Sequence, residues 1–159
     1  MIVAIYPGTF DPITFGHIDI INRASNIFQK IIVVVAENPD KRPLFSIEER
    51  IDMVEESLKE AKNIQVISHC GLLVNCLKQY NASVIIRGLR AMSDFEYEFQ
   101  MAFTNRTLLS KAETVFLMPS AEYTYLSSTM VKQIAQLKGD ISSFVPENVR
   151  EKLLEKFSK

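Results

Sequence analysis

The chain has 159 residues, of which 47% are hydrophobic, and a formal net charge of -1 at pH 7. This length suits one domain with a substantial core, and the balanced charge gives no overall field to attract a nucleic-acid backbone. The longest purely apolar run, residues 31–36, is far shorter than the roughly 18 to 20 residues that cross a bilayer. We therefore expect a single cytoplasmic domain over residues 1–159, with no nucleic-acid partner and no membrane partner.

The content of metal-binding and redox side chains is low. The chain has two cysteines, Cys70 and Cys76, and two histidines, His17 and His69. Without a paired Cys-x-x-Cys, the sequence has too few ligands for a structural zinc site. Two cysteines in a chain with an adequate core indicate free thiols rather than a disulfide framework.

Five short runs rich in β-branched residues predict five strands. They cover residues 2–6, 31–36, 64–68, 83–87 and 114–118. Helical spacing of apolar residues separates the runs, and this alternation favours right-handed crossovers and a parallel sheet covered on both faces. We predict an α/β, single-domain, doubly wound five-stranded parallel sheet of the Rossmann-like type, with strand order 3-2-1-4-5.

Capping residues mark several of the predicted helix starts. Ser46 and Glu49 have the spacing of a capping box, with an apolar helical stripe after them. Ser93 and Glu96 repeat this spacing and predict a helix that begins near residue 94. Pro146 opens the last predicted helix.

The predicted strand order reverses between the first and the fourth strand. In open parallel sheets, ligands bind outside the carboxyl ends of the strands at this switch point. The loops after residues 6 and 87 are therefore the predicted location of a ligand site.

The first of these loops, in the segment YPGTFDPITFGH, ends with a glycine and a histidine at the start of a helix. Free amides at a helix start attract an anion, Gly16 allows close approach to the backbone, and His17 can donate to a phosphate oxygen. The glycine spacings of a dinucleotide fingerprint and of a P-loop are both missing. The alternative is a tight turn with His17 on the helix surface.

The second loop carries two arginines, Arg87 and Arg90, directly after the fourth strand. Guanidinium groups at the mouth of a sheet are costly to desolvate unless they meet anions, and they suit phosphate recognition. The alternative is that they pair with neighbouring acids, for which the candidates are Asp94, Glu96 and Glu98.

A third loop places three hydroxyl residues, Ser127, Ser128 and Thr129, before the stripe Met130, Ile134 and Leu137. One N-cap explains one hydroxyl. The other two can bind phosphate oxygens at a second helix start, or they are surplus capping residues.

With these three loops, the chain closely resembles the bacterial phosphopantetheine adenylyltransferases, a family of the nucleotidyltransferase superfamily, almost from end to end. YPGTFDPITFGH is similar to the family's version of the superfamily motif His-x-Gly-His, with Thr14 at the position of the first histidine. IIRGLRAMSDFEYE and SSTMVK resemble its other two signatures in order and spacing.

The resemblance implies two sets of binding residues. ATP is expected to contact Thr9, Phe10, His17, Gly88, Leu89, Arg90, Glu98, Tyr123, Thr124, Tyr125, Leu126, Ser127, Ser128 and Thr129. The acceptor 4′-phosphopantetheine is expected to contact Thr9, Lys41, Leu73 and Arg87.

The implied reaction is attack by the terminal phosphate of 4′-phosphopantetheine on the α-phosphorus of ATP. It gives dephospho-CoA and pyrophosphate without a covalent enzyme intermediate. The resemblance also implies a homohexamer, inhibition by CoA and use of Mg²⁺. Because no tight carboxylate cluster stands out, we expect no protein metal site, with the Mg²⁺ carried by the ATP phosphates.

Phosphoryl transfer depends mainly on positioning and electrostatics. Catalytic roles are therefore assigned to four residues: His17, Thr9, Lys41 and Arg90. His17 and Thr9 are assigned to the α-phosphate, and Lys41 is assigned with Arg87 to the attacking phosphate. Arg90 and the helix start at 127–129 are assigned to the departing pyrophosphate. The attacking phosphate is already an anion near pH 7, so no general base is required.

Three other functions share part of this pattern. A related transferase acting on nicotinamide mononucleotide or on a cytidylyl acceptor would need the Gly-His and Ser-Ser-Thr features but not RGLRAMSDFEYE. A non-catalytic nucleotide sensor would not need His17 and Lys41, and Lys41 by itself also fits a solvated loop charge. A protein scaffold would need an exposed apolar patch and no convergent basic loops.

Overall fold

The protein is described by a computed structural model that covers residues 2–38, 42–90 and 92–158. The strands in this part of the chain are β1 (Val3–Gly8), β2 (Lys30–Glu37), β3 (Ile64–Cys70), β4 (Val84–Gly88) and β5 (Glu113–Leu117). The helices are α1 (Phe15–Ser25), α2 (Ile47–Ser57), α3 (Leu73–Gln79), α4 (Met92–Leu108), α5 (Ser128–Gln136) and α6 (Glu147–Phe157). A short 3-10 helix, Ala121–Tyr123, precedes α5.

The five strands form one sheet in the order β3-β2-β1-β4-β5. Every neighbouring pair is parallel, and β1 lies between β2 and β4. The predicted fold class and strand order are therefore confirmed. The carboxyl ends of β1 and β4 lie side by side, so the loops that follow them meet at one edge of the sheet.

Each face of the sheet carries its own core, as a doubly wound fold requires. One face packs against α1, α2, α5 and α6, and its strand residues include Ala4, Tyr6, Ile31, Val33 and Val35. The intervening residues Ile5, Ile32 and Val34 face the other side, where they pack with Cys76 and Leu77 of α3. Because both faces of the sheet are covered, the middle of β2, residues 31–36, is a continuous apolar run rather than an alternating one.

The helix starts agree with the sequence in part. Ser46 caps α2 and exchanges both bonds of a capping box with Glu49. The helix predicted near residue 94 is α4, which begins two residues earlier at Met92, and the side chain of Ser93 lies outside the described part of the structure. Pro146 is the N-cap of α6.

Two further features of the structure concern the state of the cysteines and the length of the helices. Cys70 and Cys76 are both free thiols, as expected, with Cys70 exposed and Cys76 buried. Among the described residues, no helix is long and apolar enough to cross a membrane.

The loop after β1 depends on close packing around one aromatic ring. Phe10 has a φ of 48°, in the left-handed region that bulky residues rarely adopt. Its side chain is 2% exposed and packs edge-on against Tyr6, with ring centroids 5.6 Å apart. A Cβ on Gly8 would lie 2.9 Å from two carbons of the Phe10 ring. Only glycine therefore fits at position 8 without displacing the ring.

We expect Gly8→Ala to lower the free energy of unfolding by about 1–3 kcal/mol, because the added methyl group overlaps the Phe10 ring, which must shift from its packing against Tyr6 and His17. Urea denaturation measures this change. Gly16→Ala is the control, since a Cβ there meets its neighbours at 3.5 Å or more and a helix favours alanine. Equal stability of the two variants would contradict this packing.

Candidate active site

An open cavity of about 570 Å³ lies at the edge of the sheet where β1 and β4 end. This volume is in the range of small-molecule sites. All three polar loops reach it. The sequence-predicted residues that line it are Thr9, Phe10, His17, Arg87, Gly88, Arg90, Glu98, Tyr123, Leu126, Ser127, Ser128 and Thr129.

The histidine of the first loop is fixed by the start of α1. Thr14 is the N-cap of α1, and its side chain accepts a bond from the backbone amide of His17. In return, the backbone amide of Thr14 donates to Nδ1 of His17 at 3.0 Å. The imidazole therefore takes the place of the Glu or Gln of an ordinary capping box.

This exchange determines which ring nitrogen carries the proton. Because Nδ1 of His17 accepts the Thr14 amide, the proton of the neutral ring lies on Nε2. Burial, together with the positive charge of Arg90, lowers the pKa of His17 from 6.5 to about 4. The ring also packs edge-on against Phe10, with centroids 5.0 Å apart. At neutral pH, His17 is thus a neutral N–H donor held at the cavity wall.

Arg87 is held by a two-pronged ion pair. Its Nε donates to Glu98 at 2.7 Å and its Nη2 donates to the other oxygen of the same carboxylate. A third nitrogen, Nη1, donates to the backbone carbonyl of Pro7 at 3.1 Å. Although burial opposes the charge, the hydrogen bonds and charge of Glu98 raise the pKa of Arg87 above its ordinary value. Arg87 therefore lines the cavity in a fixed orientation.

Arg90 connects the second loop to the third. Its Nη1 donates to the carbonyl of Leu126 at 3.1 Å, and its Nη2 lies 3.7 Å from Asp94. The Arg90 side chain is 46% exposed, so much of its charge remains accessible. The structure thus realises both interpretations of the arginines: each one has an acidic neighbour, and each one also lines the cavity.

Two of the three consecutive hydroxyls have structural partners. Ser127 is the N-cap of α5 and accepts from the amide of Met130 at 3.1 Å. Ser128 donates to the carbonyl of Pro12 at 2.7 Å, which ties the start of α5 to the first loop. Thr129 is exposed at the cavity. One hydroxyl caps, as expected, and a second joins two loops.

The acidic side chains of the cavity are already matched with cations. Among the described lining residues, the carboxylates belong to Asp11, Asp94 and Glu98. Their partners are Lys132, Arg90 and Arg87, respectively. In the described part of the chain, no three or more His, Cys, Asp or Glu residues are grouped so as to hold a metal ion.

A second, smaller cavity of about 150 Å³ adjoins the first. Arg87 and Glu98 line both cavities. Leu73 from the start of α3, Ile85 of β4 and Met101 of α4 make most of the remaining wall apolar. This cavity therefore offers an apolar extension behind the arginine side of the main site.

Three predicted residues lie outside the lining of either cavity, and a fourth is not among the described residues. Leu89 continues the pairing of β4 and β5, with its amide bonded to the carbonyl of Leu117, and is not among the residues that line the main cavity. Thr124 and Tyr125 also lie outside that lining, and the side chain of Tyr125 is 85% exposed. Lys41 lies outside the described residues.

Several residues that shape the cavity are not predicted from the sequence. In the sequence, Thr14 stands out only as the residue at the position of the first histidine of the His-x-Gly-His motif. Its spacing of three from His17 is nevertheless the spacing of a capping box. Tyr6 lines the cavity, and burial raises the pKa of its phenol far above the ordinary value, so the group is neutral. Asp11 and Lys132 form an ion pair between residues far apart in the chain, and no local pattern indicates it.

Comparison with known proteins identifies the family. Residues 5–134 match the family model described as cytidylyltransferase-like. A phosphopantetheine adenylyltransferase of Caldanaerobacter subterraneus subsp. tengcongensis is 58% identical over 159 residues, covering 100% of this chain and 99% of the relative. The Dictyoglomus thermophilum protein of the same name is 57% identical, covering 99% of this chain and 96% of the relative.

A solved structure agrees in fold. A candidate nicotinate-nucleotide adenylyltransferase from Vibrio parahaemolyticus superposes with a TM-score of 0.75 at 18% sequence identity, covering 100% of this chain and 98% of that one. At this identity the likeness concerns the fold alone. On the full-length identities above, the chain belongs to the phosphopantetheine adenylyltransferases, within the cytidylyltransferase-like nucleotidyltransferases.

Proposed function

We propose that the protein transfers the adenylyl group of ATP to 4′-phosphopantetheine, giving dephospho-CoA and pyrophosphate. The observation that carries the proposal is the convergence of His17, Arg87 and Arg90 on one cavity, next to an apolar extension. A phosphate-binding site joined to an apolar pocket suits one substrate with a triphosphate and another with a phosphate on an aliphatic arm.

The proposed step is a direct displacement. A terminal oxygen of the acceptor phosphate forms a bond to the α-phosphorus of ATP, and the bond from that phosphorus to the bridging oxygen of the β-phosphate breaks. Pyrophosphate leaves with the electron pair. The acceptor oxygen is already anionic near neutral pH, so the protein need not remove a proton from it.

His17 and Thr9 are proposed to stabilise the α-phosphate. The neutral His17 ring offers Nε2–H as a donor whose direction is set by the Thr14 amide. Thr9 lies in the same loop, where its backbone carbonyl accepts from Arg50 at 2.8 Å and its side chain lines the cavity. A donor held before the reaction needs no reorganisation as charge moves onto the phosphate oxygens.

The two arginines are proposed to serve different phosphates. Arg87 lies between the main cavity and the apolar cavity that holds Leu73, a position that suits the acceptor phosphate. Arg90 contacts the third loop through Leu126 and suits the departing pyrophosphate with the start of α5. Lys41 is proposed to assist Arg87 at the acceptor phosphate.

Mg²⁺ is proposed to enter with ATP. Because Asp11, Asp94 and Glu98 are each matched with a cation, the cavity carboxylates of the described residues are poorly placed to bind a metal directly. Phosphate oxygens and water are the usual ligands of Mg²⁺ in such sites. CoA contains the same phosphopantetheine arm as the acceptor, so we propose that it inhibits by competing for the same cavities.

We also propose that six copies assemble, with the outer face of α4 at an interface between copies. Phe95, Phe99 and Phe103 are 41%, 47% and 54% exposed. Their rings contact one another, with centroid distances of 5.5 and 4.8 Å, and so form a continuous aromatic stripe. A second copy of the chain would remove this surface from water.

His17→Ala is expected to lower kcat by about 10² to 10³, with a smaller change in the KM for ATP, because it removes one preorganised donor to the α-phosphate. The assay is pyrophosphate release from ATP in the presence of 4′-phosphopantetheine. His69→Ala, at the other histidine of the chain, is the control. An unchanged kcat with a raised KM would limit His17 to substrate binding.

The His17 imidazole is expected to remain neutral at pH 6, with its proton on Nε2, since its pKa is about 4. Nitrogen-15 NMR of the imidazole rings measures charge and tautomer together. The chain has two histidines, so a His69→Gln variant assigns the signals. A His17 ring that titrates near 6.5, or a proton found on Nδ1, would contradict the assigned geometry.

Phe99→Arg is expected to reduce the mass in solution from that of six chains, because a guanidinium would have to be buried at the interface. Light scattering after size-exclusion chromatography measures the mass. Ile27→Arg is the matched control, since Ile27 is 61% exposed and lies outside α4. An unchanged mass for Phe99→Arg, or the same loss in both variants, would argue against this interface.

A further inference from the structure

We propose that Asp11 is a positioning residue that holds the acceptor side of the active site against the nucleotide side. It does so by joining residues 44 and 45 to Lys132 of α5 through one buried carboxylate. We name this set of contacts the Asp11 latch. The inference rests on the proposed function, because it assigns the latch a role in binding one of the two substrates.

The latch consists of three short contacts. The amide of Leu44 donates to Oδ2 of Asp11 at 2.9 Å, and the amide of Phe45 donates to Oδ1 at 2.9 Å. Nζ of Lys132 donates to Oδ2 at 2.6 Å. The Asp11 residue is 5% exposed, and its side chain is 6% exposed. Both oxygens of the carboxylate thus accept from donors in two other parts of the chain.

The partners of Asp11 belong to different walls of the cavity. Leu44 and Phe45 directly follow Arg42 and Pro43, which line the main cavity. Lys132 also lines the cavity and lies one turn into α5, whose start is formed by the predicted phosphate-binding hydroxyls. Asp11 itself is in the first loop, between Phe10 and Pro12. One side chain therefore fixes the separation of three segments.

A carboxylate at this place needs a physical reason. A negative charge beside a triphosphate site repels the ligand, and burying the charge costs further free energy unless it is paired and hydrogen-bonded. Lys132 offsets the charge, and one backbone amide donates to each carboxylate oxygen. We infer that the arrangement holds the 42–45 segment in place.

Asp11→Asn tests the latch with almost no change of shape. If the amide oxygen takes the place of Oδ1, the NH₂ group faces two other donors, the Leu44 amide and the Lys132 ammonium. If it takes the place of Oδ2, the NH₂ group faces the Phe45 amide. In either orientation at least one donor loses its acceptor, so the 42–45 segment is released.

The expected result is selective. Because the 42–45 segment directly follows Lys41, which is proposed to bind the acceptor phosphate, the KM for 4′-phosphopantetheine is expected to rise at least about tenfold when the segment is released. The KM for ATP changes by less than about threefold, because the hydroxyls of the third loop and the His17 donor keep their own supports. Pyrophosphate release, with each substrate varied in turn, measures both constants.

Two further variants keep the test informative. Asp140→Asn is the matched control: Asp140 also accepts a backbone amide, that of Ser142 at 2.9 Å, and is exposed outside the cavity lining. Lys132→Met removes the cation but leaves both amide contacts, and the double variant Asp11→Asn/Lys132→Met leaves no buried charge unpaired, so the double variant keeps the test open should either single variant lose stability. Because the two residues act on one contact, the double variant is expected to lose less kcat/KM than the product of the single losses.

The outcomes separate the latch from the function. Wild-type protein without phosphopantetheine-dependent pyrophosphate release would overturn the proposed function itself. With an active wild type, equal rises in both KM values, losses that multiply in the double variant, or an Asp11→Asn protein that behaves like Asp140→Asn would each overturn the latch. A selective rise for the acceptor supports it.

Discussion

The position of β1 at the centre of an all-parallel sheet is the constraint on which the site depends. β1 pairs with β2 on one side and with β4 on the other. The strand order reverses between β1 and β4. The loops that follow these two strands therefore run away from each other and leave a cavity between them. The apolar residues on both faces of the sheet fix the positions of the strands, and the polar loops line the cavity at the strand ends. Without the central pairing, His17 and the arginines 70 and 73 positions later in the chain would have no common location.

The chemistry of the cavity comes from donors whose directions are set before any ligand arrives. The Thr14 amide orients the His17 ring, Glu98 and the Pro7 carbonyl orient Arg87, and the Leu126 carbonyl holds Arg90. These supports come from the first loop, α4, β1 and the third loop. The same contacts that stabilise the loops therefore fix the orientation of the groups that we propose bind phosphate, and phosphoryl transfer depends mainly on such positioning. Glu98 in particular serves as the counter-charge of Arg87, and this role is compatible with its position at both cavities.

Local patterns predicted the fold well, and contacts between distant residues account for most of what was missed. The alternation of strand and helix patterns predicts the parallel sheet and its strand order, and the spacing of Ser46 and Glu49 predicts the capping box of α2. Thr14 and His17 have the same spacing. Because the N3 residue of a capping box is usually Glu or Gln, a histidine there does not predict one. The ion pair of Asp11 with Lys132 spans 121 positions and has no local signal. In α5, Met130 and Ile134 of the predicted stripe are partly buried against the core, but Leu137 is 83% exposed. The fully buried residues are Val131 and Ala135, which also have helical spacing, so packing rather than the sequence pattern decided how deeply each residue is buried.

The central claim is that ATP and 4′-phosphopantetheine occupy one cavity and react with each other directly. The most direct test uses ATP labelled in the α-phosphate and follows the label on protein, nucleotide and acceptor. The account predicts that no label becomes bound to the protein, that little pyrophosphate forms without the acceptor, and that pyrophosphate and dephospho-CoA then appear in equal amounts. Label retained on the protein, or pyrophosphate released at the same rate without 4′-phosphopantetheine, would contradict it.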